Sequence, residues 1–347
     1  MRSFQWRETV DPVPGAAVVR LSRIDRAAGS ESRHADQLPE LLAGLAESAR
    51  VESITASSAI EGVFVSASRK PALVSHDQPR VRNRSEAEFA GYRRALDYLS
   101  TEDAGPLSVG LILHVHRLLF SFTDAGGGRL KLDDNLVVEG DPDGGRRIRF
   151  TPISAADTPH YTSELVDRTN SALVMGQSHP IVTIAASVLD LLCIHPFADG
   201  NGRVARLITG HLLSRAGYGV GRYVSLEQLI FDTKDDYYRV LGESTAGWFD
   251  DGRHSVWPWT NYLLECLGLA YQRFEANVSA GLTGGSKQAR VRDFVLLHGP
   301  STFRMADIRG AVPGVSDQTI RLVLVELRSA GFINHDGAGR SATWRRT

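Results

Sequence analysis

The chain has 347 residues, 42% of them hydrophobic, and a formal net charge of −1 at pH 7. That length allows two or three folded units with real cores, and the charge balance excludes a general polyanion binder and a disordered acidic chain. Cys193 and Cys266 lie in apolar helical contexts without Cys-x-x-Cys spacing, which argues for buried reduced thiols and against a disulfide framework or zinc site.

Residues 1 to about 35 read as irregular, because Pro12, Pro14 and Gly15 interrupt any regular element. From Leu38 the pattern turns helical, with Leu41, Leu42, Leu45 and Ala46 apolar. Val51 to Gly62 reads as a further helix ending at Gly62, with Ser57 and Glu61 on one face. Taken alone, that is a solvated face and a C-cap. Asn83 to Ser100 forms the next helix, its apolar side made by Phe89, Tyr92, Leu96 and Leu99. Leu107 to Phe122 forms another and contains His114 and His116. Two positions apart, these histidines point to different helix faces, so they cannot share a metal there and read as packing or surface residues. Gly126-Gly127-Gly128 then breaks the chain. Asn135–Glu139 and Arg147–Thr151 alternate on either side of Asp141-Pro142-Asp143-Gly144-Gly145, which is a hairpin signal.

The most informative stretch follows. Ile181, Ile184, Ala185, Val188, Leu189 and Leu192 recur at helical spacing and lead to His195-Pro196-Phe197-Ala198-Asp199-Gly200-Asn201-Gly202-Arg203-Val204-Ala205-Arg206. Pro196 should stop the first helix at His195. Val204, Leu207, Ile208 and Leu212 begin a second, and Gly217 offers its cap. A helix start preceded by a glycine-rich loop suits a polyphosphate, since free N–H groups and the dipole favour anions. Gly200 and Gly202 let backbone approach phosphate closely. Arg203 and Arg206 share a helix face and can fork onto phosphate oxygens. Asp199 supplies a hard oxygen for Mg²⁺ between phosphates, and His195 can take a proton from an incoming hydroxyl. No Gly-Lys-Ser/Thr follows, so this is not a Walker loop. An isolated Asp-Gly-Asn-Gly would be an ordinary turn.

The whole string resembles the signature of the Fic family, His-Pro-Phe-x-Asp/Glu-Gly-Asn-Gly-Arg-x-x-Arg, and matches it at every specified position. Fic proteins are mostly adenylyltransferases that move AMP from ATP onto a protein hydroxyl. The resemblance implies that His195 deprotonates a Ser, Thr or Tyr of a target protein and that Asp199 holds Mg²⁺. It further implies that Gly200, Asn201 and Gly202 cradle the phosphates while Arg203 and Arg206 neutralise them. Asp at 199 with Gly at 200 and 202 favours AMP transfer over the chemistry of kinase-like relatives. Ser57-x-x-x-Glu61-Gly62 resembles the inhibitory helix that one Fic subgroup carries in cis, so Ser57, Glu61 and Gly62 are expected to be regulatory. From charge and position, Glu61 should compete with the γ-phosphate for Arg206. The hairpin takes the place of the family's target-docking flap. Tyr238, after Asp235-Asp236-Tyr237, sits where a tyrosine lines the adenine pocket, and Thr245 stands where an asparagine often follows. Trp248, Trp257 and Trp259 read as core residues.

Ser279 to Ser286 reads as a flexible linker. Beyond it, Val291, Phe294 and Val295 form an apolar helix, and Ser316 caps another carrying Ile320, Val323, Leu324 and Leu327, which ends at Gly331. Phe332–His335 and Ala342–Arg345 flank a glycine-rich turn. This segment resembles the winged helix-turn-helix found C-terminally in some Fic proteins. Residues 287–347 hold ten Lys/Arg against five Asp/Glu, net +5, leaving −6 for the rest. With Arg340, Arg345 and Arg346 near the wing, that asymmetry fits phosphate contacts of DNA, although winged helices also dock proteins.

The expectation is therefore a mainly α protein: a helical Fic core with a small β-hairpin flap, plus a C-terminal winged helix domain that is α+β. The boundaries are 1–105 for an N-terminal region with the inhibitory helix, 106–278 for the core, 279–286 for the linker and 287–347 for the winged helix. ATP is the expected substrate and Mg²⁺ the cofactor; the partner is a hydroxyl-bearing protein, with self-modification, a homodimer and DNA open. Neither a signal peptide nor a membrane span is legible, so a cytoplasmic protein without membrane contact is expected. Removal of AMP and a nucleotide-sensing transcription regulator are the alternatives.

Overall fold

A computed structural model of the chain describes residues 1–7, 12–35, 38–140, 146–176, 178–249, 254–282, 287–312, 314–336 and 343–347. The fold is mainly α-helical and divides into two compact units. The first comprises Met1–Leu21, Ser53–Tyr218 and Leu226–Cys266; the second comprises Ser22–Glu52, Gly219–Ser225 and Leu267–Thr347. In chain order the helices are α1 (Gly15–Ala35), α2 (Pro39–Ile60), α3 (Lys70–Ser75), α4 (Arg84–Leu99) and α5 (Val109–Leu119). A hairpin of β1 (Val137–Gly140) and β2 (Arg146–Phe150) separates these from α6 (Thr158–Met175), α7 (Pro180–Ile194), α8 (Asn201–Arg215), α9 (Leu226–Asp232), α10 (Lys234–Thr245) and α11 (Trp257–Leu282).

The first unit is built around α7. Pro180 opens it at a position where the missing N–H costs nothing, and every residue from Ile181 to Leu191 is buried. A helix buried and mostly apolar all round belongs in the centre of a core, and α7 packs on α6, α8 and α10. Asn83 caps α4, its Oδ1 accepting the Glu86 N–H at 2.9 Å. The α4 and α5 axes approach closely because Gly91 presents no side chain: a Cβ built there would lie 2.7 Å from the Leu119 carbonyl carbon. In the hairpin, Val138 opposes Ile148, with a register shift between Val137 and Val138. Both side chains are exposed. The turn at 141–145 lies outside the described residues.

In the second unit, α12 (Lys287–Asp293) leads through a π-helical turn at Phe294–His298 to β3 (Thr302–Phe303), α13 (Met305–Ala311), α14 (Asp317–Ser329), β4 (Ile333–Asp336) and β5 (Thr343–Arg346). The strands form an antiparallel sheet of order β3-β5-β4. Val291, Val295, Phe303, Ile308, Ile320, Leu324, Ile333 and Trp344 share one core. Ser316 caps α14 by accepting the Thr319 N–H at 3.2 Å.

Three expectations from sequence need correction. Residues 15–35 are helical, not irregular: Pro14 lies just before α1, and Ala17, Leu21 and Ile24 form its buried stripe. The two helices expected between Leu38 and Gly62 are one: Leu42, Leu45 and Ala49 form a buried stripe on its first part, and every residue from Ala56 to Ile60 is buried. Residues 279–282, read as linker, continue α11, anchored by buried Val278; 283–286 lie outside the described residues. Trp248, Trp257 and Trp259 are buried as expected, and both cysteines are buried and free. Among the described residues, no helix is long and apolar enough to cross a membrane.

Candidate active site

His195 ends α7 with φ 51° and ψ 60°, the left-handed conformation, and it is the one non-glycine residue with positive φ among those described. Pro196 blocks a further helical step, and histidine tolerates this region better than most residues. His195 Nδ1 lies 3.3 Å from the Leu192 carbonyl oxygen. A carbonyl can only accept, so Nδ1 carries the proton and Nε2 is left as the basic nitrogen. Burial lowers its pKa to about 4, opposed by the Leu192 carbonyl and assisted by Lys131, while Glu61 and Asp199 pull the other way. The ring is therefore neutral at pH 7, the form a general base requires.

The loop after His195 is fixed by its own residues. Asn201 Oδ1 accepts the Phe197 N–H at 2.9 Å and Asn201 Nδ2 donates to the Phe197 carbonyl at 2.7 Å. The side chain expected to cradle phosphate is thus turned onto Phe197. Gly200 has φ 82°, and a Cβ there would meet the Phe120 ring at 2.8 Å. Asp199 stays half exposed. Its Oδ1 accepts the Gly200 N–H at 2.6 Å and its Oδ2 meets Arg84 Nη2 at 3.1 Å. Among the described residues no group of three or more His, Cys, Asp or Glu could hold a metal. A single accessible carboxylate fits Mg²⁺ shared with phosphates, because that ion keeps waters and takes few protein ligands.

Two buried arginines stand on α8. Arg203 Nη1 donates to Glu88 Oε2 at 2.6 Å, its guanidinium lies 5.3 Å from the Phe120 ring centre, and its Nε has no partner. Arg206 Nε donates to Ser57 Oγ at 2.9 Å, and its Nη2 to the Ser57 carbonyl at 3.1 Å and Glu61 Oε1 at 2.8 Å. Burial works against charge on both Glu61 and Arg206, yet their attraction wins: the Glu61 pKa is lowered and the Arg206 pKa raised. The Glu61 carboxylate lies over Gly202, where a Cβ would come within 2.5 Å of Oε1. A protein anion thus already fills space beside Gly202 and Arg206. Gly62, at φ 75°, turns the chain away directly after α2.

Ser57, Glu61, His195, Asp199, Gly200, Asn201, Gly202, Arg203 and Arg206 are brought together. Tyr238 stands close by on α10, its ring flanked by Arg149 at 5.1 Å and Lys234 at 5.7 Å. Lys234 Nζ also donates to the Ile60 carbonyl at 2.9 Å and so ties down the C-terminus of α2. Sequence reasoning missed Arg84, Glu88, Lys131 and Lys234. It also undervalued His116, which stacks on Phe197 with ring centres 3.7 Å apart and bonds the Asp199 carbonyl at 3.1 Å. Gly127 sits against the His116–Arg117 backbone and Gly128 against the Leu113 carbonyl and the Arg117 side chain, and Gly128 N–H donates to His116 Nδ1 at 2.8 Å.

Residues 106–213, which contain the signature and His116, match the family model described as Fic/DOC family. The chain carries a Fic domain. It is 26% identical over 223 residues to the protein adenylyltransferase fic-1 of Caenorhabditis elegans, covering 62% of this chain and 39% of that protein. It is 31% identical over 134 residues to the protein adenylyltransferase Fic of Drosophila willistoni, covering 38% and 25%. It therefore spans less than half the length of these curated relatives. A Fic family protein from Desulfovibrio desulfuricans G20 shares the fold with TM-score 0.62 at 23% identity, covering 97% of each chain. Fic-1 residues 134–508 from C. elegans superpose with TM-score 0.58 at 22% identity, covering 78% of this Fic-domain chain and 74% of that one.

Proposed function

We propose that this Fic-domain chain is a protein adenylyltransferase, acting on cytoplasmic ATP and held silent by Glu61. One observation carries the reading: the Glu61 carboxylate bonds Arg206 at 2.8 Å within the cluster that holds His195. His195 Nε2 takes the proton of a Ser, Thr or Tyr hydroxyl on the target. The hydroxyl oxygen bonds the α-phosphorus of ATP, the bond to the bridging oxygen breaks, and pyrophosphate leaves. Backbone N–H groups at the start of α8 and the guanidinium groups of Arg203 and Arg206 neutralise the departing phosphates. Mg²⁺ on Asp199 would supply further charge neutralisation at the phosphate oxygens. Pairing of Arg206 with Glu61 removes one phosphate ligand and leaves ATP misaligned.

Glu61→Gly is accordingly expected to raise AMP transfer about 10- to 100-fold, the factor for one charge-assisted hydrogen bond of roughly 1.5–3 kcal/mol. The assay is transfer from labelled ATP at saturating concentration with Mg²⁺, read on the chain itself and on host proteins. Equal rates for the two forms would reject control by Glu61.

For residues 287–347 we propose a winged helix-turn-helix that contacts DNA, with α14 as the recognition helix and β4–β5 as the wing. The order α12, β3, α13, α14, β4, β5 and the exposed Arg345 support this. Two of the basic groups are engaged within the segment, Arg292 with Glu326 and Arg309 with Asp317, each at 2.7 Å, which leaves the net surplus unchanged. Arg346 serves the fold, donating to the Leu296 carbonyl at 3.0 Å and to the Gly299 carbonyl; Arg340 lies outside the described residues. Arg345→Glu in the full chain should weaken duplex binding several-fold at low salt, equally for all sequences. Absence of any salt-dependent binding by the wild type would replace DNA with a protein partner.

A further inference from the structure

We propose that Lys131 is a positioning residue for the reaction: together with Asn135 it clamps the carbonyls on both sides of His195 and fixes the imidazole as an uncharged base. The inference rests on the reading of His195 as that base. It starts from a conformational problem. A side chain at φ 51° persists only where its surroundings over-determine it. The strand-less loop from His195 to Gly200 makes no ladder of its own, so its backbone groups need partners from elsewhere.

Lys131 supplies two of them. Its backbone N–H donates to the Pro196 carbonyl at 2.9 Å, and its Nζ donates to the Ile194 carbonyl at 3.2 Å. The residues before and after His195 are thereby held by one amino acid. Lys131 Nζ also donates to Asn135 Oδ1 at 2.9 Å, and Asn135 Nδ2 donates to the Phe197 carbonyl at 3.0 Å. One short segment thus holds the carbonyls at 194, 196 and 197. That segment runs directly into β1, which begins at Val137. The hairpin and the catalytic loop therefore share an anchor, so a displaced hairpin would be felt at His195.

Charge adds a second role. The Lys131 side chain is buried, with Asp134 as the acidic group acting on it, and burial lowers its pKa to about 8. It remains a cation at neutral pH and opposes protonation of His195, against the pull of Glu61 and Asp199. A lysine that only filled space would hold the loop without altering how the imidazole titrates.

The test uses the full chain with labelled histidine rings, following the His195 resonance by NMR as pH falls. It also measures AMP transfer in the Glu61→Gly background. Lys131→Met should move the His195 midpoint up toward the ordinary histidine value and lower transfer about 10-fold or more, the order of loss expected from a misplaced base. Lys131→Arg, which keeps charge and donors, should restore the midpoint and most of the rate. Should the methionine variant fail to fold, Lys131→Gln keeps a donor without the charge and should show the same midpoint shift. An unmoved midpoint overturns the proposal, even if transfer falls, because loss of rate alone is what a merely structural residue would give. Absence of transfer from Glu61→Gly with Lys131 intact would reject the adenylyltransferase reading instead, and the titration alone would then decide the clamp.

Discussion

In the Glu61→Gly background, His195→Asn is expected to lower AMP transfer by about 10²–10⁴-fold, the usual cost of losing a positioned general base. Asparagine is the informative replacement. It tolerates the left-handed backbone that His195 adopts, whereas alanine would add strain to the loss of the imidazole. His195→Asn should therefore keep the fold, the Glu88–Arg203 pair and ATP affinity, and lose only proton abstraction. The measurement is single-turnover transfer beside equilibrium nucleotide binding. Undiminished transfer would remove His195 from the chemistry; lost nucleotide binding would mean that the substitution had collapsed the loop.

A large effect of another kind is expected at Gly91, far from any proposed chemistry in sequence. Gly91→Ala would drive a methyl group into the backbone of Leu119, which cannot yield as a flexible side chain could. Either α4 and α5 separate or the helix bends, and overpacking of this sort costs about 3 kcal/mol. For a chain of 347 residues unfolding as one unit, that corresponds to about 4 °C in Tm. Activity should suffer as well, since α4 carries Glu88 and α5 carries His116, and both reach the signature loop. Thermal unfolding within about 1 °C of the wild type would show that the two helices are not that close.

Legibility in the sequence followed chain distance. His195 to Arg206 run from the end of α7 through one turn into α8, so helix-ending Pro196 and the glycines at 200 and 202 place the group without tertiary information. The partner of Arg206 was also readable, because Glu61 belongs to a motif with its own spacing. Glu88, His116 and Lys131 reach the loop from other elements, and side chains joined only by folding leave no local pattern. His116 looked like one of two helical histidines; what sets it apart is Phe197, which packs flat on its ring. The helix from Gly15 to Ala35 was misread because prolines at 12 and 14 outweighed the stripe of Ala17, Leu21 and Ile24. Proline just before a helix is compatible with it, because a missing N–H there has no helical partner to lose. Asn201 shows what residue type leaves open: its side-chain amide bonds both backbone groups of Phe197.

Glu61 and Arg206 are parts of one chain, and this has a quantitative consequence. A tethered carboxylate meets its guanidinium at an effective concentration set by geometry, typically millimolar or higher, and dilution leaves it unchanged. An equilibrium between paired and released Arg206 therefore reads the same in a cell holding ten copies of the protein as in one holding ten thousand. Expression level cannot shift it, and neither can a competitor of equal affinity present well below that effective concentration. Only a ligand with a stronger claim on the guanidinium, or a force that lifts the end of α2 from Lys234, can change the occupancy.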